Sequence, residues 1–247
     1  MKRLTLLLVI ASLLIVVGCS EEGVEAINPP SNLEIVEADG LEITIGWDES
    51  TTADIDGYIV YLGTNAIDTV GTVAVTNITP LALGTITLKA YKGDNTSDAS
   101  NGVTTTVVTA SNQTIYAYNI TAQPSGYGWD ENGTGTVYNF TQQDSLVIDI
   151  YLDEELDLAS PHTWTPPKWN TTQIQRVSSD VAVAPTSGYW NAAHAYEDSI
   201  YVVKLPSHGP GNDEQYLKLK LTNVNTTDSL VTFEYTFQPL EKYLRFE

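Results

Sequence analysis

Three short segments of the chain combine small or polar residues with tyrosine or tryptophan, and they are candidates for ligand contact. They contain four of the five tryptophans. We expect them to be loops whose flat aromatic faces stack on a carbohydrate or another planar ligand. The alternative is that the rings close the open ends of a β-sandwich. The segments are 126–130, 162–169 and 188–191, and the candidate residues are Tyr127, Trp129, Trp164, Trp169, Tyr189 and Trp190.

An acidic cluster is the other group of side chains that could do chemistry. It consists of Asp149, Asp153, Glu154, Glu155 and Asp157. Glycosidases use two carboxylates at a defined separation, and carboxylate oxygens also bind calcium. The cluster lacks the Asp-x-Asp-x-Asp-Gly spacing of a calcium loop, and the chain has no Gly-x-Ser-x-Gly, phosphate-loop or His-Glu-x-x-His motif. We therefore expect a solvated acidic face, no metal site and a protein that is not an enzyme.

The first nineteen residues have the layout of a secretory signal. Lys2 and Arg3 precede an apolar run at 4–17, which is shorter than the roughly 20 residues of a membrane-spanning helix. The run ends in Val-Val-Gly-Cys, which resembles a bacterial lipobox. The resemblance implies acylation of Cys19, the only cysteine, and a lipid anchor in a membrane. The alternative is an ordinary signal peptide with an incidental cysteine.

The residues that follow the cysteine are acidic. Ser-Glu-Glu at 20–22 resembles the surface-export signal of lipoproteins in the Bacteroidetes group. The resemblance implies display on the outer face of the outer membrane. A plain acidic tether is the alternative.

The charge of the chain excludes one class of partner. The chain has 31 acidic and 11 basic residues and a formal net charge of −20. A protein of this charge is repelled by nucleic acid, so nucleic-acid binding is excluded.

The first third of the chain predicts short strands. Apolar and polar residues alternate with period two, and turn signals separate the runs, as in a β-sandwich. The predicted strands are 41–47, 58–62, 73–75, 86–90 and 103–108.

This region resembles a fibronectin type III domain. The matching pieces are Pro-Pro-x-Asn-Leu at 29–33, Trp47, and Asp-Gly-Tyr-Ile-Val-Tyr at 56–61. Family members usually have a tyrosine six residues before the alanine that matches Ala90, and Gly84 stands there instead. The hydrogen bond that this tyrosine makes at a corner of the sandwich is therefore expected to be absent.

The remainder of the chain predicts a second antiparallel β domain. Alternating runs at 217–221 and 231–237 flank a turn at 223–228 and predict a hairpin with one buried face. A further half-buried strand is expected at 147–152.

The ending of the chain weakly resembles the heme-binding lipoproteins of the HmuY type. The strands at 201–203, 216–221 and 231–235 carry the resemblance. It implies that heme is a candidate ligand. Two histidines can ligate heme iron from opposite faces. His194 and His208 lie in this half of the chain and are the better pair, whereas His162 lies outside it.

The sequence thus predicts an all-β protein with a fibronectin type III-like sandwich followed by a second antiparallel β domain. The divisions are a lipoprotein signal at 1–19, a tether at 20–27, and domains at 28–109 and 110–247. We expect a membrane-anchored, non-catalytic binding module for a glycan, a surface or a nutrient. The alternatives are a heme-binding lipoprotein and a surface scaffold without a small ligand.

Overall fold

A computed structural model of the chain describes residues 26–140, 147–164, 171–206 and 213–247. In these ranges the regular secondary structure is almost all β-strand, and a single 3-10 turn at Pro161–Thr163 is the only helical element. No helix in these ranges is long and apolar enough to cross a membrane. Cys19 and residues 20–25 of the predicted tether lie outside the described residues.

The first unit is a sandwich of two antiparallel sheets. One sheet has the order β1-β2-β5, and the other has the order β4-β3-β6, with β7 and β8 both pairing with β6. This arrangement confirms the fibronectin type III-like sandwich. The strands are β1 (Ser31–Asp39), β2 (Glu42–Asp48), β3 (Gly57–Leu62), β4 (Asn65–Val70), β5 (Val75–Ile78), β6 (Thr85–Lys92), β7 (Asn95–Thr96) and β8 (Val103–Thr104).

The period-two pattern fills the core of this unit as predicted. Ile43 and Ile45 on β2, and the facing residues of β6, are buried. Trp47 lies edge-on against Tyr58, with ring centroids 5.3 Å apart. Each large apolar side chain buried in this way stabilises the fold by roughly 1.5–3 kcal/mol. The closing strand predicted at 103–108 is wrong in extent. Only Val103–Thr104 forms a strand in this unit, and Val108 already begins β9, which pairs in the second unit.

Thr105 forms hydrogen bonds at Gly84, the position where fibronectin type III domains usually have a tyrosine. Its hydroxyl accepts a hydrogen bond from the Gly84 N–H at 3.0 Å, and its own N–H donates to the Gly84 carbonyl at 3.0 Å. Thr105 is fully buried, so these bonds are shielded from water. A threonine side chain therefore pins the corner at Gly84.

The second unit is also a sandwich, built from two five-stranded sheets. One sheet has the order β11-β10-β12-β13-β15 and the other the order β14-β16-β17-β18-β9. The strands are β9 (Val108–Tyr116), β10 (Gly126–Trp129), β11 (Gly135–Tyr138), β12 (Ile150–Leu152), β13 (Asp157–Ala159), β14 (Gln173–Val177), β15 (Ala192–His194), β16 (Ile200–Leu205), β17 (Gln215–Asn225) and β18 (Leu230–Gln238).

The predicted hairpin is confirmed as β17 and β18. Leu217 pairs with Phe237, Leu219 with Tyr235 and Leu221 with Phe233, and one face of this ladder is buried. Backbone bridges also join the two sheets of this unit at both sides. Ala117 bridges to Leu152 at one side, and Ile174 bridges to Trp190 at the other.

The last residues of the chain connect the two units, and we call residues 240–246 the C-terminal clasp. Tyr243 is fully buried in the core of the first unit, whereas Leu244 and Phe246 pack on the outer face of the second. The Leu244 N–H donates to the Gly40 carbonyl at 2.9 Å, and the Leu244 carbonyl accepts from the Ala184 N–H at 2.7 Å. A single extended segment therefore contributes side chains and hydrogen bonds to both sandwiches.

Candidate functional site

The first aromatic segment is a buried strand, so the expectation of an exposed loop there is wrong. Tyr127 and Trp129 lie on β10 with exposed fractions of 1% and 4%, and both rings pack in the core of the second unit. Gly126 and Gly128 alternate with these rings and leave room for the segment at 147–148 to cross the other face of β10. A Cβ at Gly128 would lie 1.8 Å from the Val147 carbonyl oxygen. These two rings are therefore core side chains and cannot stack on a ligand.

Trp164, in the second aromatic segment, covers an aromatic cluster and is only partly exposed. Its ring meets Tyr118 edge-on at 4.8 Å and Phe140 at 5.0 Å, and Phe140 stacks on Tyr151 at 4.0 Å. Tyr151 alternates on β12 with the core residues Ile150 and Leu152, so this cluster lies on the outer face of the sheet. Trp164 therefore covers a sheet face, and neither the exposed loop nor the closed sandwich end describes it. Trp169 lies outside the described residues.

The third aromatic segment places one tryptophan in solvent. Trp190 is 72% exposed, yet its backbone is fixed, because its N–H and carbonyl both pair with Ile174 at 2.9 and 2.7 Å. Tyr189 is partly buried and donates its hydroxyl to the Pro185 carbonyl. Burial raises the pKa of Tyr189, and the nearby Glu214 charge raises it further. Of the six aromatic candidates, Trp190 is the described ring that is most available to a ligand.

The second and third aromatic segments meet in space. The Ser160 N–H donates to the Asn191 carbonyl at 2.7 Å, and Ala159 pairs with Ala192 between β13 and β15. A groove of about 510 Å³ lies at this junction, next to Trp190 along the chain, and we call it the polar groove. Its polar lining consists of His162, Thr171, Gln173, Asn191, Lys204, Asp213 and Glu214.

Both carboxylates of the polar groove are paired with lysines. Lys204 Nζ lies 2.6 Å from Glu214, and Lys242 of the clasp lies 2.7 Å from Asp213. Partial burial acts to raise the pKa of Glu214, but hydrogen bonds from Lys204 and Tyr216 outweigh it, and the pKa is lowered. The groove therefore presents hydroxyl, amide and imidazole groups beside two carboxylates that are paired with lysines.

Only one histidine of the proposed heme pair lies in the described part of the chain. His194 is on β15, and its Nδ1 lies 2.7 Å from Asp157 on β13. The Tyr201 hydroxyl donates to the His194 carbonyl at 2.6 Å. His208 lies outside the described residues, so its separation from His194 stays untested. His162 belongs to the polar groove.

The acidic cluster does not form one solvated face, and for Asp149 that expectation is wrong. Asp149 is fully buried, and its carboxylate accepts a hydrogen bond from the backbone N–H of Trp129 at 2.8 Å. Asp153 closes a turn by accepting the N–H groups of Glu155 and Asp157. Burial raises the pKa of Asp153, although the Asp157 N–H acts in the opposite direction. The described ranges hold no group of three or more acidic, histidine or cysteine side chains that could bind a metal ion.

No protein-family model and no curated protein matches the chain. Among solved structures, the chain is similar to the crystal structure of the FN1–FN3 domains of chicken CNTN1, with 10% sequence identity and a TM-score of 0.25. That match covers 87% of this chain and 89% of the other.

The sequence analysis missed most residues of the polar groove. Gln173, Asn191, Lys204 and Glu214 come from four separate segments and form no motif. The signals that pointed towards this place were the second and third aromatic segments, which contain His162 and Asn191 of the groove lining.

Proposed function

We propose that this chain is a lipid-anchored surface protein that binds a glycan non-catalytically in the polar groove beside Trp190. The observation that carries the proposal is a 72% exposed indole ring, on a backbone fixed by its pairing with Ile174, that directly precedes Asn191 in the lining of a polar groove. Sugars present many hydroxyl groups and apolar ring faces. Amide, hydroxyl and imidazole groups such as those of Gln173, Asn191 and His162 both donate and accept hydrogen bonds, and an exposed indole offers a stacking face.

The charges of the groove favour binding over hydrolysis. A glycosidase needs one carboxyl group that stays protonated as an acid and a second that acts as a nucleophile or base. Lys204 and Lys242 each neutralise one of the two groove carboxylates, and the pKa of Glu214 is lowered. Neither feature favours a protonated acid in this groove. The proposal is therefore a binding module.

The membrane anchor belongs to the same proposal and rests on the residues around Cys19. The first strand, β1, begins at Ser31, so a short segment separates the anchor from the first sandwich. We infer an outer-membrane location with the two sandwiches exposed at the cell surface.

Replacing Cys19 tests the anchor. Cys19→Ser removes the thiol that would carry the lipid, so we expect the protein to move from the membrane fraction to the soluble fraction of its native bacterial host. Radiolabelled palmitate should label the unmodified chain and not the variant. Equal labelling or equal membrane association of both proteins would contradict the anchor.

Binding to a glycan array tests the polar groove. The unmodified chain should bind a restricted set of glycans, and Trp190→Ala should weaken that binding about tenfold, because a stacked aromatic contact and its buried area are lost. Gln173→Ala should weaken it as well. Leu81→Ala is the matched control, since Leu81 is 85% exposed but lies in the first unit. No glycan binding, or binding unaffected by Trp190→Ala, would refute the groove.

Heme binding is a second candidate, and one contact favours it. A metal-binding histidine commonly donates its other ring nitrogen to a carboxylate, and His194 has Asp157 in that position at 2.7 Å. His194 would supply one axial nitrogen, and the sequence suggests His208 for the other.

Hemin titration tests this candidate. If His194 ligates heme, adding hemin should give a sharp Soret band that is lost in His194→Ala and kept in the control His162→Ala. An unchanged spectrum in the unmodified chain, or an identical band in His194→Ala, would exclude His194 as the ligand.

A further inference from the structure

A second pocket lies at the other end of β14 and has a different chemistry from the polar groove. It has a volume of about 480 Å³, and we call it the arginine pocket. Gln173, at the start of β14, lines the polar groove, and Arg176 lines the arginine pocket. The polar residues around this second pocket are Arg176, Ser178, Ser179, Tyr196, Asp198 and Ser199.

The guanidinium of Arg176 is held by an aromatic ring. It lies 4.5 Å from the centre of the Tyr196 ring, and Tyr196 meets His194 edge-on at 4.8 Å. A guanidinium stacked on a ring keeps its N–H donors in its own plane, where they remain available to a planar anion. The ring contact therefore orients Arg176 without using its hydrogen-bonding capacity.

Arg176 also differs from the lysines on the neighbouring strands. Lys204, Lys218 and Lys220 each form an ion pair with a carboxylate. Within the described ranges, no carboxylate forms an ion pair with Arg176, although the chain contains 31 acidic residues. An exposed and oriented cation that has no ion-pair partner among the described residues is suited to binding an external anion.

The surroundings of Arg176 narrow the choice of anion. The three serine hydroxyls can hydrogen-bond to a hydroxylated ligand. The Asp198 carboxylate accepts hydrogen bonds from ligand hydroxyls, and it repels a doubly charged phosphate more strongly than a singly charged carboxylate. The net charge of −20 also repels polyanions. These features together favour a hydroxylated ligand with a single carboxylate.

We propose that the arginine pocket binds the carboxylate of a uronic acid, with the carboxylate accepting two parallel hydrogen bonds from Arg176. This inference rests on the proposed glycan-binding function and names the class of glycan. Gln173 and Arg176 are three positions apart on an extended strand, which corresponds to about 10 Å along the chain. Because this is an odd number of positions, the two side chains point to opposite sides of the strand, and the arginine pocket is a site separate from the polar groove.

Calorimetric titration of the full chain with two oligosaccharides of equal length tests the proposal. The probes are a galactose oligosaccharide that carries a single galacturonate residue and its neutral counterpart, in which galactose replaces that residue. We expect the acidic probe to bind roughly tenfold more tightly, because it adds charge-assisted hydrogen bonds. Arg176→Gln should abolish this preference. Arg176→Lys should also reduce it, since an ammonium group keeps the charge but cannot form the paired bonds.

Lys89→Gln is the matched control. Lys89 also lies over a tyrosine ring, Tyr61, at 5.8 Å, but it belongs to the first unit. The substitution removes one positive charge, as Arg176→Gln does, and should leave the preference for the acidic probe unchanged.

The outcomes separate this inference from the glycan-binding proposal. Equal binding of the two probes, or a preference that survives Arg176→Gln, would overturn the arginine pocket, even if Trp190→Ala abolished binding and so supported the polar groove. A preference that depends on Arg176 but not on Trp190 would support the pocket and count against the groove. Tighter binding of galactose 6-phosphate than of galacturonate would overturn the assignment to a carboxylate. Absence of binding for both oligosaccharides would also overturn it.

Discussion

The insertion of Tyr243 into the first sandwich is the contact on which the arrangement of this molecule depends. Successive side chains of an extended segment point to opposite sides. Tyr243 therefore enters one core, while Leu244 and Phe246 cover the outer face of the other sandwich. Lys218 on β17 adds an ion pair to Glu247, which follows the clasp, at 3.0 Å. The free energy of burying these rings is shared by both units, so neither unit keeps its full set of contacts when the clasp is released.

The clasp also reaches the candidate binding site. The Lys242 N–H donates to the Glu214 carbonyl at 2.7 Å, and the Lys242 ammonium group pairs with Asp213. One wall of the polar groove is therefore fixed by the same segment that joins the sandwiches. The backbone of Trp190 is fixed by its pairing with Ile174. The proposed site therefore depends on contacts between segments that are distant in sequence, namely Lys242 with Asp213 and Trp190 with Ile174.

The sequence predicts the regular strands well because burial imposes a local period of two. The alternation at Leu217, Leu219 and Leu221 correctly predicted both the hairpin and its buried face. The same rule fails at 126–129, where glycine alternates with an aromatic residue. The glycines in this pattern suggested a loop, but they are needed because another segment crosses the strand at Gly128. A close approach between distant segments leaves no local signature that separates it from a turn.

The site is less predictable than the strands for the same reason. Trp190 could be proposed from its segment, but the polar side chains of the groove include residues on β14, on β16 and just before β17, which meet only after the sheets pair. Arg176 gave no signal, because a single arginine in an acidic chain is unremarkable until its lack of an ion-pair partner among the described residues is known. The role of residues 240–246 was likewise hidden, since their partners lie in Gly40, Ala184 and the first core.

Scanning calorimetry of the unmodified chain and of Tyr243→Ala tests the coupling of the two sandwiches most directly. The account predicts a single unfolding transition for the unmodified chain. The substitution should lower the free energy of unfolding by about 3–5 kcal/mol, because a fully buried aromatic ring is removed, and should split the transition in two. Two independent transitions in the unmodified chain, both unchanged by Tyr243→Ala, would contradict it.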